Sequence, residues 1–248
     1  MRRAVVVLLF VLGLALPAAS RIIAAPTDGW PTATPEEQGV DSANLADVLL
    51  TMQQKVPDLH SVILIRDGKV VVDASFYPYD GTTPHDLGSV TKSVLTTLVG
   101  IAIDQGKLKL DQPVLSFFSD RTIANRDARK ERMTVGDLAS MTSGLACVRE
   151  PGEPTQAEMA ASKDWVQFVL DLPMAAEPGT QWNYCSPGMH LLSAVLTEAT
   201  GMTALDFAWQ NLFGPLGVRD VIWPADPQGY TRGAGDLMLR PLDAAKLG

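Results

Sequence analysis

The stretch Gly88-Ser89-Val90-Thr91-Lys92 opens a long apolar helix that continues through residues 93–103. A serine and a lysine three residues apart at the start of a helix lie on the same face, one turn from each other. A serine hydroxyl is a weak nucleophile and needs a base within hydrogen-bond reach to take its proton. An amine is such a base only when it is neutral, and burial in an apolar helix favours that form. The backbone N–H of Ser89, in the first turn, lies where it could hold an oxyanion.

The same spacing also has a purely structural explanation. A Ser-x-x-Lys spacing arises by chance, and a serine that opens a helix is most often an N-cap. Other catalytic patterns are missing, because the sequence contains no Gly-x-Ser-x-Gly turn, HExxH, Walker loop, GxGxxG or CxxC. His85 and His190 are expected to be solvated or hydrogen-bonded. We therefore predict neither a metal ion nor a cofactor, and the meaning of Ser89 depends on the rest of the chain.

Composition describes an ordinary globular protein of 248 residues, of which 46% are hydrophobic and 19% are charged. This length allows one large domain or two small ones with a sizeable core. The net charge of −8 and the isoelectric point near 4.8 argue against nucleic acid or an anionic membrane as a partner.

The first twenty residues have the pattern of a secretory signal. Arg2 and Arg3 precede an apolar run, residues 4–16, and small residues follow, with Ala18-x-Ser20 as the best cleavage site. We therefore predict a signal peptide over residues 1–20, a secreted or periplasmic protein, and no stable membrane insertion after cleavage. An uncleaved anchor stays open as the alternative. Residues 21–40 are predicted to be an extended lead-in, and residues 41–248 the domain itself.

Local patterns predict an α+β protein rather than alternating βαβ units. Two β-rich runs, residues 61–66 and 69–74, flank Asp67-Gly68 and predict a hairpin. After residue 107 the chain is rich in helices and loops, and residues 218–223 are the one further strand that its pattern suggests.

Several helices have recognisable ends. Asp41 or Ser42 should cap the first one, whose apolar residues keep helical spacing: Leu45, Val48, Leu49 and Met52. Gly106 should end the central helix, and Thr134 with Asp137 predicts a capping box. Further helices are predicted over residues 134–141, 163–170, 187–200 and 203–213.

Together with Tyr184, the Ser89-Val90-Thr91-Lys92 motif resembles the serine β-lactamase-like superfamily, which includes class C β-lactamases, DD-peptidases and esterases. Residues 106–111 and the Met-Thr-Ser-Gly-Leu run at 141–145 match the same family in the same order. The resemblance extends from about Trp30 to the end of the chain. It implies an antiparallel sheet flanked by helices, a helical subdomain over about residues 107–180, and an active site between the two.

The resemblance also implies roles for individual residues. Ser89 would be the acylated nucleophile, Lys92 the amine that helps to deprotonate it, and Tyr184 the phenol that moves protons to the leaving group and then to water. The expected function is that of a secreted serine hydrolase whose small-molecule partner is an ester, lactam or peptide substrate.

The two cysteines, Cys147 and Cys185, are predicted to form a disulfide. Export would put them in an oxidising compartment, and an even count without metal-like spacing fits a bridge. By the resemblance, both also flank segments that pack beside the nucleophile. The alternative is that Cys185 is an ordinary buried thiol.

Two departures from the family pattern weaken the catalytic interpretation. The usual Tyr-x-Asn motif is Tyr184-Cys185-Ser186 here, so Ser186 either binds substrate or only caps the helix at Pro187. No Lys-Thr-Gly or His-x-Gly motif follows Tyr184. We therefore expect the last strands to be missing and the 248-residue chain to be an inactive fragment. A non-catalytic protein that binds peptidoglycan-like or ester ligands is the main alternative, and a structural domain with a chance motif is the third.

Overall fold

The structure, a computed structural model, describes residues 29–148 and 150–248. The strands are β1 (Ser61–Arg66), β2 (Lys69–Ser75), β3 (His85–Asp86) and β4 (Met238–Leu239). The helices are α1 (Ser42–Lys55), α2 (Val90–Asp104), α3 (Ala128–Arg132), α4 (Val135–Ala139), α5 (Pro154–Ala161), α6 (Trp165–Asp171), α7 (Ser186–Thr200), α8 (Ala204–Ala208) and α9 (Pro241–Ala245). The predicted signal peptide, residues 1–20, and residues 21–28 of the predicted lead-in lie outside the described residues.

Strands β1 and β2 form the predicted hairpin, which is confirmed. They pair antiparallel, with Val62 opposite Ala74. The turn residues Asp67 and Gly68 have φ angles of 49° and 71°, the left-handed values that a two-residue hairpin turn requires. Val70 on β2 is buried. The hairpin thus contributes one apolar face to a fold that is otherwise mostly helical.

Helices α2 and α7 form the centre of the core and contact each other directly. The buried residues of α2 are Thr91, Lys92, Val94, Leu95, Leu98, Val99 and Ala102. Its other face leaves Ser93, Thr97 and Gly100 exposed, so this helix buries one face and not its whole circumference. Gly106, with a φ of 71°, follows its end as predicted. In α7, every residue from Ser186 to Leu196 is buried.

The short helices between residues 107 and 180 have defined starts. The Thr134 hydroxyl accepts from the Asp137 backbone N–H, and the Asp137 carboxylate accepts from the Thr134 backbone N–H, so the predicted capping box is confirmed. The helix that follows ends at Ala139, two residues before Met141, whose φ of 58° is not helical. Asp164 caps α6 through the Gln167 N–H.

One local prediction is wrong. Residues 218–223 do not form a strand: only Ile222 makes a bridge, to Met238, because Asp220 adopts a left-handed φ of 50° that breaks the extended run. Asp41 caps α1 as expected. Of the apolar residues that keep helical spacing in α1, Val48 is 53% exposed.

A second antiparallel pair, β3 with β4, was not predicted. His85 lies opposite Leu239, and the Leu87 N–H donates to the Leu237 carbonyl at 2.9 Å. This pair joins the segment just before α2 to the last part of the chain. The antiparallel pairs and the helices around them confirm the predicted α+β class. Within residues 29–148 and 150–248, no helix combines the length and apolar character needed to cross a membrane.

Candidate active site

Ser89 stands at the start of α2, immediately after a tight turn. Gly88 has a φ of 50°, and its N–H donates to the Asp86 carboxylate at 2.8 Å. Ser89 holds the N-cap position, yet its backbone is already helical and its side chain makes no capping hydrogen bond. Its hydroxyl is therefore free to take part in the contacts described next.

Lys92 lies one turn further along α2 and is buried, with 6% of its surface exposed. Its Nζ donates to the Ser89 Oγ at 3.0 Å and to the backbone carbonyl of Ala234. The helical spacing of the motif accounts for the first contact. The second contact comes from a segment far along the chain that the sequence analysis did not single out.

Tyr184 completes a cluster of three side chains. Its hydroxyl donates to the Ser89 Oγ at 2.7 Å, and the Lys92 Nζ lies 5.0 Å from the centre of its ring. Burial alone would raise the pKa of the Tyr184 phenol. The hydrogen bonds to Ser89 and Lys92 and the nearby Lys92 charge outweigh this effect, so its pKa is lowered from the ordinary tyrosine value.

A frame of backbone and side-chain bonds holds the Tyr184 segment. The Asn183 N–H donates to the Met141 carbonyl at 2.9 Å, and the Asn183 side-chain amide donates to the Cys147 carbonyl at 2.9 Å. Cys147 and Cys185 are joined as a disulfide, with Cα atoms 5.5 Å apart. Asn183 had not been singled out from the sequence, and its place next to Tyr184 was the only available signal.

Ser186 does not join the cluster. It is the first residue of α7 and fully buried, and its Oγ has no hydrogen-bond partner among the described residues. The capping role considered for it belongs to Cys185, whose Sγ accepts from the Gly188 N–H at 3.3 Å. Its proposed role as a substrate ligand stays a prediction.

The segment that supplies the Ala234 carbonyl packs directly on α2 and α7. A Cβ atom at Gly233 would lie 2.3 Å from the Met189 carbonyl oxygen, so only glycine fits there. The Leu237 N–H donates to the Thr91 Oγ1 at 3.3 Å. The one signal in the sequence was the Gly-Ala-Gly run at 233–235. Across residues 29–148 and 150–248, no three His, Cys, Asp or Glu side chains converge as a metal site requires.

Fold and site together define the β-lactamase/transpeptidase-like class of proteins. A family model described as Beta-lactamase matches residues 45–243, and the chain belongs to that family. The resemblance inferred from the sequence is therefore confirmed.

Curated relatives are 27–31% identical to this chain over the residues that align. A Beta-lactamase of Escherichia coli (strain K12) is 28% identical over 194 residues, 74% of this chain and 49% of that protein. Penicillin-binding protein 4 of Amycolatopsis lactamdurans is 31% identical over 134 residues, 53% and 34% of the two chains. Monacolin J acid methylbutanoyltransferase of Aspergillus terreus is 27% identical over 162 residues, 58% and 39%. The chain thus spans about half, or less, of the length of these relatives.

Solved structures give the same fold. EstCE1, described as a hydrolase with promiscuous acyltransferase activity, has a TM-score of 0.67 and 20% identity, covering 83% of this chain and 71% of its own. FmtA from Staphylococcus aureus has a TM-score of 0.66 and 14% identity, covering 88% and 66%. At these identities the likeness shows the fold alone.

The Tyr184 phenol should ionise below the ordinary tyrosine pKa of about 10. Replacing Lys92→Met should raise this pKa, because both a hydrogen bond and a positive charge that favour the phenolate are lost. Phenolate absorbance followed against pH, with Tyr184→Phe subtracted, measures it. Tyr230 is an internal control, since burial and Glu198 raise its pKa to about 12. An unchanged Tyr184 titration in Lys92→Met would contradict the electrostatic account.

The purified, unreduced protein should show no free thiol after denaturation. The Cys147–Cys185 bridge closes a loop of 38 residues, which in the chain-entropy model stabilises the fold by about 4 kcal/mol. Cys147→Ser should therefore lower the free energy of unfolding by up to that amount, and it leaves the Cys185 cap of α7 in place. Two thiols in the unreduced wild type would refute the bridge.

Proposed function

We propose that the protein is a serine hydrolase that forms an acyl-enzyme on Ser89, with Lys92 as the base and Tyr184 as the proton carrier. One observation supports this most strongly: the Lys92 Nζ and the Tyr184 hydroxyl both lie within hydrogen-bond distance of the Ser89 Oγ. A serine that served only as an N-cap would instead accept a hydrogen bond from a backbone N–H of the first turn of the helix.

The proposed reaction has two halves. In the first, Lys92 reacts in the fraction of molecules in which its amine is neutral: it takes the Ser89 proton while Oγ attacks the carbonyl carbon of an ester or amide. The oxyanion forms near the Ser89 N–H, at the positive end of α2. Tyr184 gives a proton to the leaving group, which departs as an alcohol or amine, and recovers one from Lys92. In the second half, the same groups take a proton from water as it attacks the acyl-enzyme and return one to Oγ.

The substrate class that we propose is a small ester, lactam or peptide. Relatives whose names indicate lactam, amide and ester chemistry support this range, among them a Beta-lactamase, a 6-aminohexanoate-dimer hydrolase and a Lovastatin esterase. We also propose that the protein is secreted or periplasmic. The pattern of residues 1–20 and the Cys147–Cys185 bridge support export.

A non-catalytic binding protein for peptidoglycan-like or ester ligands is the second candidate. It is favoured by Ser186, which stands where the family usually has asparagine and makes no hydrogen bond to a described residue. The hydroxyl of serine is too short to span the contacts of an asparagine amide. Binding of such a ligand without covalent labelling of Ser89 would select this candidate.

In the full-length protein, Ser89→Ala should abolish covalent labelling by a fluorophosphonate probe and turnover of a chromogenic ester, with the thermal transition unchanged. Mass spectrometry of the labelled wild type should find the adduct on Ser89. Ser93→Ala is the matched control, because this exposed serine lies one turn further along the same helix. It should label as fast as the wild type. Undiminished turnover in Ser89→Ala would overturn the mechanism.

Lys92→Arg should label at least about 100-fold more slowly than the wild type, because a guanidinium keeps its charge and cannot accept the Ser89 proton. The labelling rate at saturating probe measures this. Lys107→Arg is the matched control, because Lys107 is an exposed lysine beyond the end of α2. It should leave the labelling rate unchanged. A rate near that of the wild type in Lys92→Arg would show that Lys92 is structural.

A further inference from the structure

A buried histidine–aspartate pair lies behind the segment that contacts Lys92. The His190 Nε2 is 3.0 Å from the Asp226 Oδ2, and the two side chains are 1% and 0% exposed. His190 belongs to α7, the central helix that packs against α2. The proposed mechanism makes no use of this pair, and its burial excludes direct contact with a substrate.

The Asp226 carboxylate is held in its ionised form. Burial alone would raise its pKa, but hydrogen bonds from His190 and from the backbone N–H groups of Tyr230 and Gln228 outweigh this, so its pKa is lowered. Those two N–H groups lie 2.9 and 2.8 Å from Oδ1. An ionised carboxylate has no proton to donate. The hydrogen between Oδ2 and Nε2 therefore belongs to His190.

The other ring nitrogen of His190 faces the segment that contains Ala234. The Gly233 N–H donates to the His190 Nδ1 at 3.5 Å, so Nδ1 must be the unprotonated nitrogen. One neutral tautomer, with the proton on Nε2, satisfies both contacts. Gly233 also packs so closely on the Met189 carbonyl that no side chain fits there. The next residue in the chain is Ala234, whose carbonyl accepts from the Lys92 Nζ.

We propose that His190 and Asp226 are positioning residues for Lys92: Asp226 fixes the tautomer of His190, which holds Gly233 and thereby the Ala234 carbonyl against the amine. This rests on the proposed function, in which Lys92 is the base. A neutral amine has two N–H bonds and one lone pair. Donating one N–H to a fixed carbonyl restricts its rotation and directs the lone pair towards the Ser89 hydroxyl.

Two substitutions of His190 separate positioning from simple stabilisation. In His190→Asn the short amide can present its oxygen near the place of Nδ1 and so keep an acceptor for Gly233, but it loses the bond to Asp226. In His190→Gln the longer amide can reach Asp226 but loses that acceptor. Positioning predicts faster labelling of Ser89 in His190→Asn than in His190→Gln. If His190 served only to bond Asp226, Ser89 would be labelled faster in His190→Gln than in His190→Asn, and that order would contradict positioning.

Asp226→Asn tests the tautomer directly. The asparagine amide can donate to Nε2, and the ring proton then moves to Nδ1. Nδ1–H and the Gly233 N–H are then two donors that face each other, and they cannot form a hydrogen bond. A displacement of the Ala234 carbonyl by about 1 Å should slow labelling of Ser89 by about 10–100-fold. The probe concentration for half-maximal rate should stay unchanged, because the probe contacts neither residue.

The experiment measures fluorophosphonate labelling in purified protein, well below each variant's melting temperature, together with hydrogen exchange of residues 231–237. Lys130→Met is the control. It removes a buried lysine whose Nζ bonds the Ala124 and Leu170 carbonyls, so it should lower the melting temperature and leave the labelling rate unchanged.

The proposal is supported if Asp226→Asn and His190→Gln lower the maximal rate and speed exchange in residues 231–237, while His190→Asn is faster than His190→Gln. It is overturned if Asp226→Asn labels like the wild type, or if rates simply follow melting temperature in all variants, Lys130→Met included. If the wild type itself is not labelled, the proposed function fails, and the positioning proposal is then tested by hydrogen exchange alone. Faster exchange at 231–237 in Asp226→Asn then supports positioning, and unchanged exchange overturns it.

Discussion

The convergence of two donors on one hydroxyl is the constraint on which the rest of the structure depends. The turn of α2 alone brings the Lys92 Nζ to the Ser89 Oγ, because residues three apart meet on a helix. Tyr184 comes from 95 residues further along the chain, so its contact requires α2 and α7 to pack in one fixed arrangement. Their tightly buried leucines provide that arrangement, since close-packed cores tolerate little sliding of one element past another.

The sequence predicted well those features that depend on neighbours in the chain. The hairpin turn at Asp67 and Gly68, the capping box at Thr134 and the helical end at Gly106 each have a local chemical signature, and each is present. The Ser89–Lys92 contact is local in the same sense. The strand expected at residues 218–223 failed because Asp220 adopts a backbone conformation that hydrophobic patterning does not encode.

Contacts made by backbone groups far apart in the chain could not be predicted from the sequence. The Ala234 carbonyl that accepts from Lys92 lies 142 residues away, and a carbonyl group is the same in every residue type. The two-residue strands β3 and β4 are too short to show alternation. At the start of α7, the sequence offered Ser186 as the cap, yet the Sγ of Cys185 caps this helix. The buried Ser186 hydroxyl has no hydrogen-bond partner in the part of the chain that the structure describes. Such an orphan group typically costs about 1–3 kcal/mol, and departures of this kind concentrate at functional sites.

The chemistry of the groups around Lys92 explains why a carbonyl is a better neighbour there than a carboxylate. A carboxylate beside the buried amine would favour its charged form, which cannot take a proton from Ser89. A backbone carbonyl satisfies an N–H bond without adding a negative charge. It cannot, however, adjust its own position as a side chain does, so its placement must come from what holds the backbone. In this fold the negative charge of Asp226 does not contact Lys92, because His190 and the segment with Gly233 and Ala234 lie between them. The pair can thus fix the segment while an intervening imidazole separates its charge from the amine.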